Sequence, residues 1–126
     1  VEGKMDVDGL TGQESNDDAQ GNPVPVFAMS NLTPEDPPHG WDSVHTQYND
    51  GANDGYVTEH EKGSPGSKEE VMGYHVRAQL PVLYQLADNY TIFDKWFCGV
   101  LGPTWPNRYY VHCGTSDGAK SNTPPL

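Results

Sequence analysis

The sequence has few basic side chains and no long apolar run. Seven lysines and arginines stand against 18 aspartates and glutamates, which gives a formal net charge of -11. Because nucleic-acid affinity rests on clustered Lys and Arg that release counterions, this balance argues against a protein that binds a phosphate backbone. No stretch approaches the roughly 18 apolar residues of a membrane span. The sequence therefore predicts no nucleic-acid partner and no transmembrane segment.

Cysteine is also scarce. Cys98 and Cys113 are too few for a disulfide framework and too far apart for the paired cysteines of a structural zinc site. Whether they pair with each other stays open at this point. In contrast, 14 glycines and 11 prolines among 126 residues approach the level at which a sequence without periodicity stops building regular elements. We therefore expect one small domain, or part of one, with few long helices.

The first half of the chain is dominated by turn-forming residues. Residues 1–42 are rich in Gly, Asp, Asn and Pro and predict loop or linker. Residues 43–60 are compatible with a short helix, a turn and a second short element. The polar stretch EKGSPGSKEE, residues 61–70, contains Gly-Ser-Pro-Gly and predicts an exposed loop.

The second half, residues 71–118, changes character. Apolar residues with helical spacing follow Pro81, a residue suited to the first turn of a helix, and predict a helix from about Pro81 to Asp88. The segment TIFDKWFC, Thr91–Cys98, is β-branched and aromatic and predicts a strand buried on most of both faces. After a loop, Pro106 can start another helix, for which Gly114 is a suitable left-handed C-cap. Helix, strand, loop and helix in this order are typical of an α/β fold.

The stretch GPTWPNR, residues 102–108, sets the hydroxyl of Thr104 between the predicted strand and the next helix. Backbone N–H groups and the positive dipole end at a helix N-terminus stabilise a developing alkoxide and hold phosphoryl oxygens. Arg108, four residues on, would add a cation on the same helix face. Spacing alone also allows a plainer interpretation, in which Thr104 is a helix N-cap and Arg108 forms a surface ion pair.

Longer motifs point to a known family. The strings HGWDSVHTQYNDGANDGYV from His39 and LPVLYQLADNYTIFDKWFCGVLGPTWPNR from Leu80 resemble the bacterial phosphoesterase family of phosphatidylcholine-type phospholipases C and a related acid phosphatase, within the alkaline phosphatase superfamily. The resemblance covers roughly residues 6–118. The pattern Thr104-x-Pro106-x-Arg108 is also similar to the Cys-or-Ser-x-Pro-x-Arg signature of sulfatases. The implied fold is α/β, an incomplete and loop-rich part of an alkaline phosphatase-like fold, with a sheet and flanking helices.

The resemblance also implies roles for individual residues. Thr104 matches the family's nucleophile, a metal ligand that accepts the phosphoryl group, and Asn107 and Arg108 match the substrate-binding residues beside it. His39 resembles an active-site histidine that contacts a phosphoryl or leaving-group oxygen, although an exposed histidine in a Pro-rich loop explains it equally well. We expect the remaining histidines to be structural or exposed: His45, His60, His75 and His112.

The same resemblance implies a divalent metal ion, whose identity the sequence does not reveal. It also implies a phosphoester substrate, either a phospholipid head group or a small phosphomonoester. It implies a secreted or periplasmic hydrolase. The family's acidic-asparagine pair and distant aspartates, which bind the metal, have no counterpart here, so we expect residues 1–126 to be an interior fragment of one catalytic domain that is inactive alone. The alternative is a non-catalytic, acidic binding module on the same scaffold, with Trp41, Trp96 and Trp105 as its contact surface.

Overall fold

The computed structural model describes residues 3–123, which form short elements joined by long irregular segments. The helices in this part of the chain are α1 (Trp41–Tyr48), α2 (Tyr56–Gly63), α3 (Pro81–Asn89) and α4 (Thr104–Cys113), with 3₁₀ turns at Asn49–Gly51 and Lys68–Met72. The strands are β1 (Ser15–Asp17), β2 (Pro23–Pro25), β3 (Phe27–Ala28) and β4 (Gly73–Tyr74). None of the described helices is long and apolar enough to cross a membrane.

The strands form two small sheets. β1 pairs with β2 in antiparallel orientation, with Asn16 opposite Val24, and β3 pairs with β4 in parallel orientation, with Phe27 opposite Gly73. Helices flank these sheets, so the α/β class expected from the sequence is confirmed. The residues from 3 to 42 are loop-rich, as predicted, and contribute only three of these short strands.

The best-buried part of the structure lies around α2. Val57 is fully buried and Met29 nearly so, while His60 is also buried and both of its ring nitrogens are without a hydrogen-bond partner among the described residues. The first turn of α2 is capped from a distance, because the Asn16 side-chain oxygen accepts a hydrogen bond from the Tyr56 N–H at 3.0 Å. The Asn16 amide also donates to the Asn53 carbonyl at 3.1 Å. Gly55, at the N-cap position of α2, has no side chain that could cap the helix, and Asn16 of β1 caps it instead.

An ion network joins β1, α2 and the Lys68–Met72 turn. The Lys68 ammonium lies 2.8 Å from an Asp18 carboxylate oxygen and 3.5 Å from Glu61. The Asp18 carboxylate, which is almost fully buried, also accepts the backbone N–H of Asn22 at 2.8 Å. The Lys68 hydrogen bond first, and then the Asn22 one, hold the pKa of Asp18 well below its usual range. Reciprocally, Asp18 raises the pKa of Lys68.

This network corrects the prediction of an exposed loop over residues 61–70. α2 extends to Gly63, and Lys68 begins a 3₁₀ turn that packs on α2. A polar composition favours exposure, but here the buried carboxylate of Asp18 holds Lys68, and Lys68 in turn pairs with Glu61. By contrast, the short helix, turn and second short element predicted for residues 43–60 are confirmed by α1, the 3₁₀ turn and α2, and the second element is a helix.

The predicted strand Thr91–Cys98 is wrong. The segment has no regular structure, and Phe93, Trp96 and Phe97 are 67%, 71% and 78% exposed. β-branched and aromatic residues favour a strand only where a neighbouring strand supplies hydrogen bonds and packing, and the described residues place none beside this segment. α3, which ends one residue later than predicted, is confirmed. Cys98 and Cys113 are both free and exposed.

We predict that Gly55→Ala destabilises the fold. A Cβ at this position would lie 2.3 Å from the Thr46 carbonyl oxygen, a backbone atom that cannot rotate away. The free energy of unfolding should fall by about 1–3 kcal/mol, as in other overpacked sites. Gly63→Ala is the matched control, since its Cβ would meet open space at the last residue of α2. Equal urea midpoints for the two variants would contradict the packing of α1 against α2.

We predict that the Asp18–Lys68 pair makes stability depend on pH in the acid range. Because folding lowers the pKa of Asp18, its contribution is complete above the unfolded value of about 3.9 and is lost as pH falls through the lower folded value. Lys68→Met should reduce the free energy of unfolding at neutral pH. It should also make that free energy fall less steeply between neutral pH and about pH 3, as measured by urea titration. Lys95→Met, which removes an exposed pair with Asp8, is the control and should leave the acid slope unchanged.

Candidate active site

Helix α4 begins at Thr104, two residues before the predicted start. Pro103 occupies the N-cap position in an extended conformation and has no side-chain group that could cap the helix. Pro106 lies inside the first turn, where its missing N–H is not needed, and therefore does not mark the first residue. Gly114, with a φ of 72°, ends the helix as predicted.

The hydroxyl of Thr104 is free. Its side chain is exposed, and among residues 3–123 it makes no hydrogen bond. Since Pro103 holds the cap position, the interpretation of Thr104 as an N-cap receives no support. The hydroxyl is available at the N-terminal turn of α4, where the helix dipole favours negative charge.

Thr104 lines a shallow groove of about 390 Å³ along one face of α4. Residues four apart on a helix are neighbours, so Thr104, Arg108 and His112 follow one another along this groove. The remaining lining residues are Asn107 and Val111. His112 is exposed, in agreement with the expectation that it is structural or exposed, and it also lines the groove, as its spacing of four from Arg108 indicates.

Arg108 supplies a positive charge beside Thr104. Its guanidinium is exposed and forms no ion pair with any of the carboxylates in residues 3–123. The surface ion pair considered from the sequence is thus not observed. A guanidinium group whose N–H donors make no hydrogen bonds is suited to bind a planar or tetrahedral oxyanion.

The side chain of Asn107 bonds the loop that precedes Thr104. Its amide nitrogen lies 3.0 Å from the Val100 carbonyl, 3.1 Å from that of Gly102 and 3.1 Å from that of Pro103. Its oxygen accepts the Val100 N–H at 3.1 Å. The predicted role of Asn107 in binding substrate stays a prediction.

Two further contacts frame the loop and the start of α4. A Cβ at Gly102 would lie 3.0 Å from Cε3 of Trp41, so the indole of α1's first residue packs directly on this glycine. Lys120 lies over the same indole, 4.9 Å from its centroid. On the other side, the Trp105 N–H donates to the side-chain oxygen of Asn122 at 2.9 Å. The sequence carries no local signal for either contact, since 17 residues or more separate the partners.

His39 lies outside the groove. Its ring is exposed, with Nδ1 2.9 Å from the Pro37 carbonyl oxygen and 3.5 Å from an Asp36 carboxylate oxygen. It precedes Trp41, which packs on the loop before Thr104, by two residues. The structure shows no contact between His39 and Thr104 among the described residues, and its catalytic role stays a prediction.

The described residues do not form a metal site by themselves. No cluster of three or more His, Cys, Asp or Glu side chains able to hold a metal ion occurs within residues 3–123. Thr104 would be a single oxygen ligand, and catalytic metal sites commonly need about three protein ligands. That the other ligands of a metal at Thr104 lie outside this chain stays a prediction.

These features define an α/β protein with a free hydroxyl and an unpaired arginine at one helix N-terminus, a site suited to an oxyanion. The chain belongs to the Phosphoesterase family, whose profile matches residues 2–125. The family resemblance deduced from the sequence motifs is thus confirmed.

Curated relatives carry phospholipase C names. The chain is 35% identical over 130 residues to non-specific phospholipase C1 of Arabidopsis thaliana, a match that covers 94% of this chain and 24% of that protein. It is 43% identical over 77 residues to phospholipase C B of Mycobacterium tuberculosis (60% of this chain, 15% of that protein). The non-hemolytic phospholipase C of Burkholderia pseudomallei is 39% identical over 87 residues (68% and 11%). The chain spans about a quarter or less of the length of these relatives.

Proposed function

We propose that the protein is a hydrolase of phosphoester bonds in which Thr104 is the nucleophile. The observation that carries the proposal is the hydroxyl of Thr104 in the first turn of α4, which shares a groove with the guanidinium of Arg108 one turn further on, where neither group has a partner among residues 3–123. The phospholipase C names of the relatives favour a phospholipid substrate. A small phosphomonoester, as expected for an acid phosphatase, fits the same chemistry.

The proposed reaction has two steps. The Thr104 oxygen attacks phosphorus while the bond to the leaving-group oxygen breaks, and that oxygen departs with the bonding electrons and takes up a proton. Water then attacks the phosphothreonine, and the threonine oxygen recovers a proton as the phosphate product leaves. Arg108 and the positive dipole end of α4 stabilise the charge that develops on the non-bridging oxygens in both steps.

Other parts of the proposal rest on the family. His39 would bind an oxygen or protonate the leaving group. A divalent metal ion, held largely by ligands outside residues 3–123, would supply charge that favours ionisation of the Thr104 hydroxyl. Secretion or a periplasmic location is proposed on the same ground.

The binding-module alternative is not favoured. Trp41, one of the three residues proposed as its contact surface, is occupied in packing against Gly102 and Lys120.

We predict that Thr104→Ala, in the full-length protein that carries this segment, reduces hydrolysis by about 10³-fold or more, because it removes the covalent route. Thr104→Ser should retain measurable turnover because a hydroxyl remains. The measurement is the initial rate on phosphatidylcholine vesicles and on p-nitrophenyl phosphate, with and without a chelator. Thr91→Ala, at an exposed threonine in an irregular segment, is the control. Parental rates in Thr104→Ala would exclude Thr104 as the nucleophile.

A second prediction concerns charge at Arg108. Arg108→Met should lower kcat/KM by about 10²–10³-fold, a loss typical of one oxyanion-stabilising donor, and weaken competitive inhibition by inorganic phosphate. Arg108→Lys should be intermediate, since it keeps the charge but loses the two-pronged geometry. Arg108→Met with the parental inhibition constant for phosphate would show that the groove does not bind the phosphoryl group.

A further inference from the structure

The side chain of Asn107 is fully engaged by the loop in front of Thr104. A primary amide offers two N–H hydrogens and one carbonyl oxygen. Here the amide nitrogen faces the carbonyls of Val100, Gly102 and Pro103 at 3.0–3.1 Å, and the oxygen accepts the Val100 N–H. Both hydrogens are in use, so the side chain has no donor left for a phosphoryl oxygen.

Among the described residues, the hydrogen bonds of the loop come from this one side chain. Among the described residues, no backbone-to-backbone hydrogen bond holds residues 99–103. Trp41 limits the loop from outside by contact with Gly102, but such a contact does not fix the orientation of peptide groups. The Asn107 amide does, because it bonds both polar groups of Val100 and the carbonyl directly before Thr104.

We propose that Asn107 is a positioning residue, which sets the place of the Thr104 hydroxyl by bonding the Val100–Pro103 loop and does not itself bind substrate. The inference rests on the proposed function of Thr104. A nucleophile displaced by about 1 Å can lose about 10²-fold in rate, so the effect of the amide should appear in the chemical step.

The variants Asn107→Leu and Asn107→Asp separate the possibilities in the full-length protein. Leu is close in shape but forms no hydrogen bond, so kcat should fall by about 10²-fold with KM nearly unchanged. In Asn107→Asp at neutral pH, a carboxylate would face three carbonyl oxygens. This variant should lower kcat at least as much as Asn107→Leu does. At acid pH the protonated carboxyl regains one donor, so the activity of Asn107→Asp relative to the parent should rise as pH falls, whereas that of Asn107→Leu should not.

A second readout is independent of turnover. The Val100 amide hydrogen is bonded to Asn107 in the parent, and its exchange with solvent should accelerate in Asn107→Leu. Asn89→Asp is the matched control, because Asn89 is exposed at the end of α3, where its amide bonds Gln85. It should leave kcat, KM and Val100 exchange at parental values.

Several results would overturn the inference. An increase in KM with parental kcat would assign Asn107 to substrate binding, as the family resemblance implies. A lower melting temperature with parental kcat well below the transition would show a purely structural role. Parental Val100 exchange in Asn107→Leu would show that the amide does not hold the loop. Failure of the proposed function is distinct, since it appears as unchanged activity in Thr104→Ala whatever the Asn107 variants do.

Discussion

Polar side chains, mostly asparagines that hydrogen-bond backbone groups of other segments, connect the short elements of this structure. The paired strands are two or three residues long, so the sheets contribute few ladder hydrogen bonds. Asn16 caps α2 from β1, Asn107 ties the loop before α4, and Asn122 bonds the first turn of α4. Buried backbone groups must find partners somewhere, and here side-chain amides supply them. The Asp18–Lys68 ion pair adds a side-chain connection between the residue after β1 and the turn after α2.

This dependence explains which elements could be predicted from the sequence. α3 and α4 carry local signals, namely a proline in the first turn, apolar residues with helical spacing and, for α4, a C-terminal glycine. Helices satisfy their own backbone groups, so local patterns suffice to predict them. The Thr91–Cys98 segment shows the opposite case, because a strand needs a partner that its own residues do not specify.

The residues of the candidate site also differ in how far the sequence predicts them. Thr104 and Arg108 could be proposed from their spacing, because residues four apart share a helix face whatever the tertiary structure. Asn122 and Trp41 could not, since they reach the start of α4 from separate segments. Asn107 is intermediate: its proximity to Thr104 was evident from the sequence, but the direction of its amide depends on the path of the Val100–Pro103 loop.

Electrostatics favours the N-terminal end of α4 as the place for the proposed site. A chain with a net charge of -11 repels a phosphoester at long range, and salt screens that repulsion beyond about 10 Å. Close to Thr104 the balance reverses, because Arg108 faces the groove without a carboxylate partner among the described residues and the dipole of α4 adds positive potential. A carboxylate paired with Arg108 would cancel much of this local positive charge, and the proposed nucleophile would then lie beside no cation that attracts a phosphoryl oxygen. On the proposed function, the hydroxyl of Thr104 and the charge of Arg108 are therefore needed together at this surface.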